Sequence, residues 1–101
     1  MEAAGFDWDE GNRSKCLSHG VSIAQIEAVF GHPHRLAPDV AHSRFETRFL
    51  VIGKGDDERS VFVAFTFRQL EGGLFIRPIS ARFMHDKEIE HYEQTIAQFE
   101  E

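Results

Sequence analysis

The chain has 101 residues, 42% of them hydrophobic, one cysteine (Cys16) and a formal net charge of −6. This is enough for a single small domain over residues 1–101, and it excludes an internal disulfide. No apolar run approaches the ~20 residues that a membrane-crossing helix needs, and the N-terminus lacks a basic-then-apolar signal pattern, so a cytoplasmic protein is expected.

Charge is unevenly distributed along the chain. Residues 1–12 carry four acids and no base, and residues 86–101 carry six acids against one lysine. Residues 13–85 hold ten bases against seven acids, including all eight arginines. A basic body between acidic ends suits an anionic ligand such as RNA, although strong nonspecific nucleic-acid binders are usually basic throughout. The acidic ends are expected to lie away from the basic face.

Phe6-Asp7-Trp8 alternates as a short edge strand does. Asp9 can cap a helix over about residues 10–18, which Gly20 ends. Ser22 and Gln25 form a capping box for a second helix, with Ile23, Ile26, Val29 and Phe30 on one stripe and Gly31 and Pro33 closing it. Residues 34–46 are polar and poorly periodic, which predicts a strand fragment and a long loop.

The period then changes to two. Thr47–Gly53 is a predicted strand with Phe49 and Val51 on one face and Arg48, Leu50 and Ile52 on the other. Ser60–Arg68 is apolar on both faces, which predicts a central strand. Glu71-Gly72-Gly73 is a hairpin turn. Leu74–Phe83 is the next strand, where Pro78 removes one ladder donor and demands an edge or a bulge. Ile89, Tyr92, Ile96 and Phe99 mark an amphipathic C-terminal helix starting near Asp86. The predicted fold is α+β, with two N-terminal helices and one C-terminal helix packed on a three- to four-stranded antiparallel sheet.

Metal-ligand spacing is unconvincing: His32, His34 and His42 share one loop, which reads as a polar loop. No metal and no cofactor are expected. Cys16 and His19 are three apart on a helix, but no third group orients them as a thiol and its base. The arginines are more informative. By strict alternation Arg77 and Arg82, five positions apart, fall on opposite faces of one strand, with Ser80 beside Arg82. Glu46 and Arg48 share a face if their strand begins early, and Arg68 ends the central strand. Asn12, Lys15 and His19 form a polar stripe on the first helix. Metal-free RNA cleavage needs such a set: a base for the 2′-hydroxyl, an acid for the leaving oxygen, and cations for the charge that builds on phosphorus.

These residues resemble the BrnT family of type II toxins, small ribonucleases of the RelE-like superfamily. The resemblance covers nearly the whole chain. It rests on Phe6-Asp7-Trp8-Asp9, Asn12, Lys15, His19-Gly20-Val21-Ser22, Val29-Phe30, Pro33, His42-Ser43, Glu46, Arg48, Ile76-Arg77-Pro78-Ile79-Ser80-Ala81-Arg82, Glu88 and Tyr92. Ser18 stands where the family usually has lysine, Pro78 where isoleucine is common, and Phe83-Met84 replaces a frequent lysine-alanine pair.

The resemblance implies a RelE-like fold, RNA cleavage without a metal, and neutralisation by a BrnA-type antitoxin. It points to Arg48, Arg77 and Arg82 as phosphate and transition-state cations, His42 or Glu46 as the base and Tyr92 as the acid. Lys15, His19 and Arg68 are the implied RNA-binding residues. The alternative is a catalytically weak RelE-fold module that acts with its antitoxin as a DNA-binding repressor complex and meets DNA only through that complex.

Overall fold

The computed structural model describes residues 3–57, 59–85, 87–91 and 94. Its elements run β1 (Gly5–Phe6), α1 (Glu10–Leu17), α2 (Ile23–Gly31), β2 (His34–Pro38), a single 3-10 turn at Val40–His42, β3 (Arg48–Lys54), β4 (Ser60–Leu70), β5 (Gly73–Phe83) and α3, helical over residues 87–91. The class is α+β. The sheet has five strands in the order β1-β5-β4-β3-β2. It is mixed, because β1 runs parallel to β5 while all other pairs are antiparallel. The short edge strand expected at Phe6-Asp7-Trp8 is β1, and the strand fragment expected within 34–46 is β2, which pairs fully with β3 from His34 to Pro38; the sheet therefore has five strands and one parallel pair where three or four antiparallel strands are expected.

Helix starts follow their sequence signals. The Asp9 side chain accepts from the Asn12 N–H, and the Asn12 side chain returns a bond to the Asp9 N–H. Ser22 and Gln25 make the same reciprocal pair at α2. Gly20, just past α1, has φ +85°, a conformation that side chains with a Cβ resist.

As its two apolar faces predict, β4 is the central strand. One face carries Val61, Val63 and Phe65 into a core with Val51, Ile76, Ala81 and the helix residues Cys16, Ile26 and Val29. Aromatic rings cross-link this core. Phe65 meets Phe30 edge-on at 5.1 Å and stacks on Phe49 at 5.6 Å, while Phe30 also meets Phe6 at 5.6 Å. Such pairs contribute roughly 0.5–1.5 kcal/mol each beyond area burial. A smaller cluster on the opposite face gathers Ala37, Ile52 and Met84, with Phe62 and Ile89 packed against it. Helices therefore lie on both faces of the sheet, and not in one layer. Ile89 of α3 bears on the Ile52–Phe62 end, and among the described residues no helix covers the other end of that face. Tyr92, Ile96 and Phe99 of the expected C-terminal stripe fall outside the described residues.

Pro78 gives the bulge that its missing N–H requires. Ala64 pairs with Ser80 and Phe65 with Pro78, so Ile79 is an extra residue in β5. The extra residue resets the alternation. Arg77 stands opposite Thr66 and Arg82 opposite Phe62, two positions on the same face of β4. Arg77 and Arg82 therefore share a face, contrary to the parity of an unbroken strand.

Asn12 fixes α1 to this bulge. Pairing of β1 with β5 ends where the Asp7 N–H donates to Ile76 O. From there the Asn12 amide donates to Pro78 O at 2.8 Å and to Asp7 O at 3.0 Å. The residue is only 7% exposed. Replacing it with alanine leaves a buried carbonyl without a donor, which costs roughly 1–3 kcal/mol, in addition to the lost cap. Asn12→Ala should therefore show a clear drop in the denaturant midpoint, and Asn12→Asp, which sets an acceptor against those carbonyls, a larger one. Wild-type stability in both variants would show that α1 is held by its apolar face alone.

Candidate active site

The register of three strands lines up one row across the open end of the sheet. Arg48 on β3 pairs with Thr66 on β4, and Thr66 with Arg77 on β5. Asp7, next along from the Phe6–Ile76 pair, extends the row beyond β5. Thr66, 3% exposed, donates to Thr47 O at 2.6 Å and floors the row between the two arginines. Arg68 stands two positions on from Thr66, on the same face. Above the row lies an open basin of about 550 Å3, walled by Asp9, Asn12, Lys15, Glu46, Arg48, Arg68 and Arg77.

Carboxylates hold these cations in place. Arg77 Nη1 contacts Asp7 Oδ2 at 3.2 Å and Arg77 Nη2 contacts Asp9 Oδ2 at 2.7 Å. Asp9 thus caps α1 with one oxygen and fixes Arg77 with the other. Glu46 lies between two arginines, 3.5 Å from Arg68 Nη2 and 3.8 Å from Arg48 Nε. It sits in a bend before β3 and still shares the face of Arg48. Arg48 Nε is shut off from solvent and has no hydrogen-bond partner among the described residues. Lys15 makes no ion pair among them. An anion entering the basin would meet the outer edges of three guanidiniums and one ammonium.

Arg82 does not join this group. It is four β4 positions away from Arg77, roughly 13 Å at ~3.3 Å per residue. There it is paired with Glu88 at 2.8 Å and lies 5.2 Å from the Phe62 ring centroid. His19 is at that end too, beside Arg82, Arg59 and His85. The Asn12–Lys15–His19 stripe is divided accordingly: Asn12 is buried as a structural tie, Lys15 rims the basin, and His19 sits at the far end. His42 closes the 3-10 turn. Its neighbour Ser43 accepts from the Arg48 N–H at 3.0 Å, so that loop is stitched to β3, and the His42 side chain lies outside the described residues. Tyr92 lies outside them as well.

The acidic ends do not stay clear of the basic face. Asp7 and Asp9 from one end, and Glu88 from the other, pair directly with Arg77 and Arg82. In sequence Asp9 signals only the helix cap, and nothing marks Asp7 or Thr66, since only the β1–β5 pairing and the ladder register bring them to the site. Two other candidates have different roles. Cys16 is fully buried in the core, and burial pushes its thiol up to about 11, so it offers no thiolate nucleophile. His32 pairs with Asp56 at 2.9 Å, and His34 bonds to His32 O.

The Asn12 N–H and the Arg77 guanidinium hold the Asp9 carboxyl below its ordinary value of 3.8. A folded value below the unfolded one adds stability that is complete above 3.8 and is lost as pH falls through the lowered folded value. Asp9→Asn is therefore expected to be less stable than wild type at neutral pH, with the gap closing as the solution is acidified below 3.8. Thermal midpoints across an acid pH series measure this, and a gap that does not change with pH would show that Asp9 is not linked to folding.

A protein-family model described as the ribonuclease toxin BrnT of type II toxin-antitoxin systems matches residues 8–88. No curated protein matches the chain. The matched span runs from Trp8 beside the Asp9 cap to Glu88 beside Arg82, and so takes in both walls of the basin and the bulge that orients its arginines. The chain belongs to the BrnT family of ribonuclease toxins of type II toxin-antitoxin systems.

Proposed function

We propose that this protein is a metal-independent endoribonuclease toxin that cleaves RNA in the Arg48–Arg68–Arg77 basin. The observation that carries the reading is the convergence of arginines from three adjacent strands on one open basin with a carboxylate among them. In the proposed reaction Glu46 takes the proton of a ribose 2′-hydroxyl. The freed 2′-oxygen attacks the adjacent phosphorus, the bond from phosphorus to the 5′-oxygen breaks, and a proton passes to that leaving oxygen. Arg48 and Arg77 balance the charge that gathers on the phosphoryl oxygens, and Arg68 and Lys15 hold the flanking backbone. His42 is the alternative base and Tyr92 the candidate acid. Charge stabilisation by fixed guanidiniums replaces that of a bound ion. Arg77 is already locked by two carboxylates and needs little reorganisation to meet the transition state.

Family membership supports an RNA substrate and an antitoxin partner. A BrnA-type antitoxin would silence the toxin by covering the basin with acidic and apolar side chains, and any contact with DNA would come through that complex. The double neutralisation of Arg77 by Asp7 and Asp9 favours a second reading, in which a RelE-like fold serves mainly as a repressor subunit with little catalysis. Expression without antitoxin separates the two: growth arrest with RNA loss belongs to the nuclease, and unimpaired growth to the repressor subunit.

Purified protein is expected to cleave RNA in excess chelator, leaving 2′,3′-cyclic phosphate or 3′-phosphate ends. Arg48→Ala should lower kcat by about 100-fold or more, as loss of one transition-state donor does, while the thermal midpoint moves by only a few degrees. Abolition of cleavage by chelator, or 3′-hydroxyl products, would rule this mechanism out.

A further inference from the structure

A second group of cations occupies the far end of α1. An open depression of about 370 Å3 there is lined by His19, Arg59, Arg82, Phe83, Met84 and His85. Arg82 is engaged by Glu88. Arg59 differs: its Cζ lies 3.4 Å over the centroid of the Phe83 ring, and no carboxylate among the described residues pairs with its guanidinium. Stacking on an aromatic ring fixes the plane of an arginine and leaves its N–H donors pointing outward along the edges, the arrangement that suits a phosphate.

The placement of this depression relative to the basin is defined. The bulge puts Arg77 and Arg82 on one face, roughly 13 Å apart along β4. The helix α1, eight residues and therefore about 12 Å long, spans the same distance. Its N-cap Asp9, with Asn12 and with Lys15 in its last turn, lines the basin, and His19, two residues past its end, lines the depression. A strand lying along α1 would pass from one cationic site to the other, a separation that single-stranded RNA covers in a few nucleotides. Regularly placed cations of this kind track a backbone without reading its bases.

We propose that Arg59, Arg82, His19 and His85 form a second phosphate subsite, which grips the RNA backbone a few nucleotides from the phosphate held between Arg48 and Arg77. The assignment rests on the RNA-cleaving reading of the basin and deepens it. It makes Arg82 a backbone-binding residue, remote from the reacting phosphorus, and gives a function to Arg59, which lies between β3 and β4.

The test uses fluorescently labelled 2′-O-methyl oligoribonucleotides, in which the attacking hydroxyl is blocked, and reads affinity by anisotropy over a salt series. Wild type should prefer a long oligomer over a dinucleotide, which is too short to reach both sites. Arg59→Gln should weaken the long oligomer about tenfold and lower the salt slope by roughly one. Dinucleotide affinity should change little, so the preference for length shrinks. Arg59→Lys, which keeps the charge and loses the planar stack, should fall between. If Arg59→Gln shifts the thermal midpoint, the exposed pair His19→Gln and His85→Gln carries the same comparison.

Unchanged affinity for the long oligomer in these variants would overturn the subsite. So would a variant that weakens only the complex with the antitoxin, since the depression would then be a docking surface for an acidic protein. Failure of the subsite is distinguishable from failure of the nuclease reading. Cleavage of unmodified RNA with no dependence on Arg59 retains the nuclease and removes the subsite. Arg59-dependent binding without any cleavage retains the subsite and removes the nuclease. A wild-type protein that binds neither oligomer overturns both.

Discussion

Pro78 has no N–H to give to β4, and β5 accommodates the loss by setting Pro78 and Ile79 together against Phe65. The working face depends on that extra residue. Upstream of it, Ile76 points into the core and Arg77 out of it. Downstream, Ala81 points in while Ser80 and Arg82 point out. Without the bulge, the side chains on one side of it would exchange faces, and the strand would have to bury either an arginine or a run of polar groups. The bulged backbone also leaves the Pro78 carbonyl free for Asn12, so one irregularity both aims the arginines and anchors the helix that borders them.

Charge pairing is the second constraint. The chain is acidic as a whole, and four of its acids fix arginines. Asp7 and Asp9 hold Arg77, Glu46 lies between Arg48 and Arg68, and Glu88 holds Arg82. Exposed ion pairs of this kind add little to stability, typically 0–1 kcal/mol. Their effect here is geometric: Arg48 and Arg77 are held on either side of the floor residue Thr66, and Arg82 is held at the far end of the face. Lys15 and Arg59 have no acidic partner among the described residues, so Lys15 contributes open positive charge to the basin and Arg59 to the depression beyond the end of α1. The resulting face is modest in net charge and specific in arrangement, as a protein that must recognise RNA and also be covered by a partner requires.

Much of this was legible in the sequence. Both helix starts follow from their capping residues, β4 from its two apolar faces, and the bulge from a proline in a strand that otherwise alternates. What the sequence hid depends on long-range pairing. Parity along β5 could not be assigned without knowing on which side of Pro78 the extra residue falls, and the faces of Arg77 and Arg82 were misjudged for that reason. The alternation at Phe6-Asp7-Trp8 marks the short strand β1 but not its parallel pairing with β5, which brings Asp7 to Arg77. Glu46, Arg48 and Arg68 were singled out from residue type and family likeness, but their meeting depends on the β3–β4 register. Arg59 gave no signal at all, because its partner Phe83 is 24 positions away in sequence and adjacent only through the β4–β5 ladder.

The most direct test of the proposed catalytic face is a crystal structure of the protein with a short RNA carrying a 2′-deoxy substitution at the cleavage position, which removes the nucleophile and leaves the backbone intact. The scissile phosphate should lie over Thr66, between Arg48 and Arg77, with Glu46 facing the site of the missing hydroxyl. A phosphate bound on the opposite face, on the side of α2, or one that left the Arg48–Arg77 row empty, would contradict the assignment of that row as the catalytic centre.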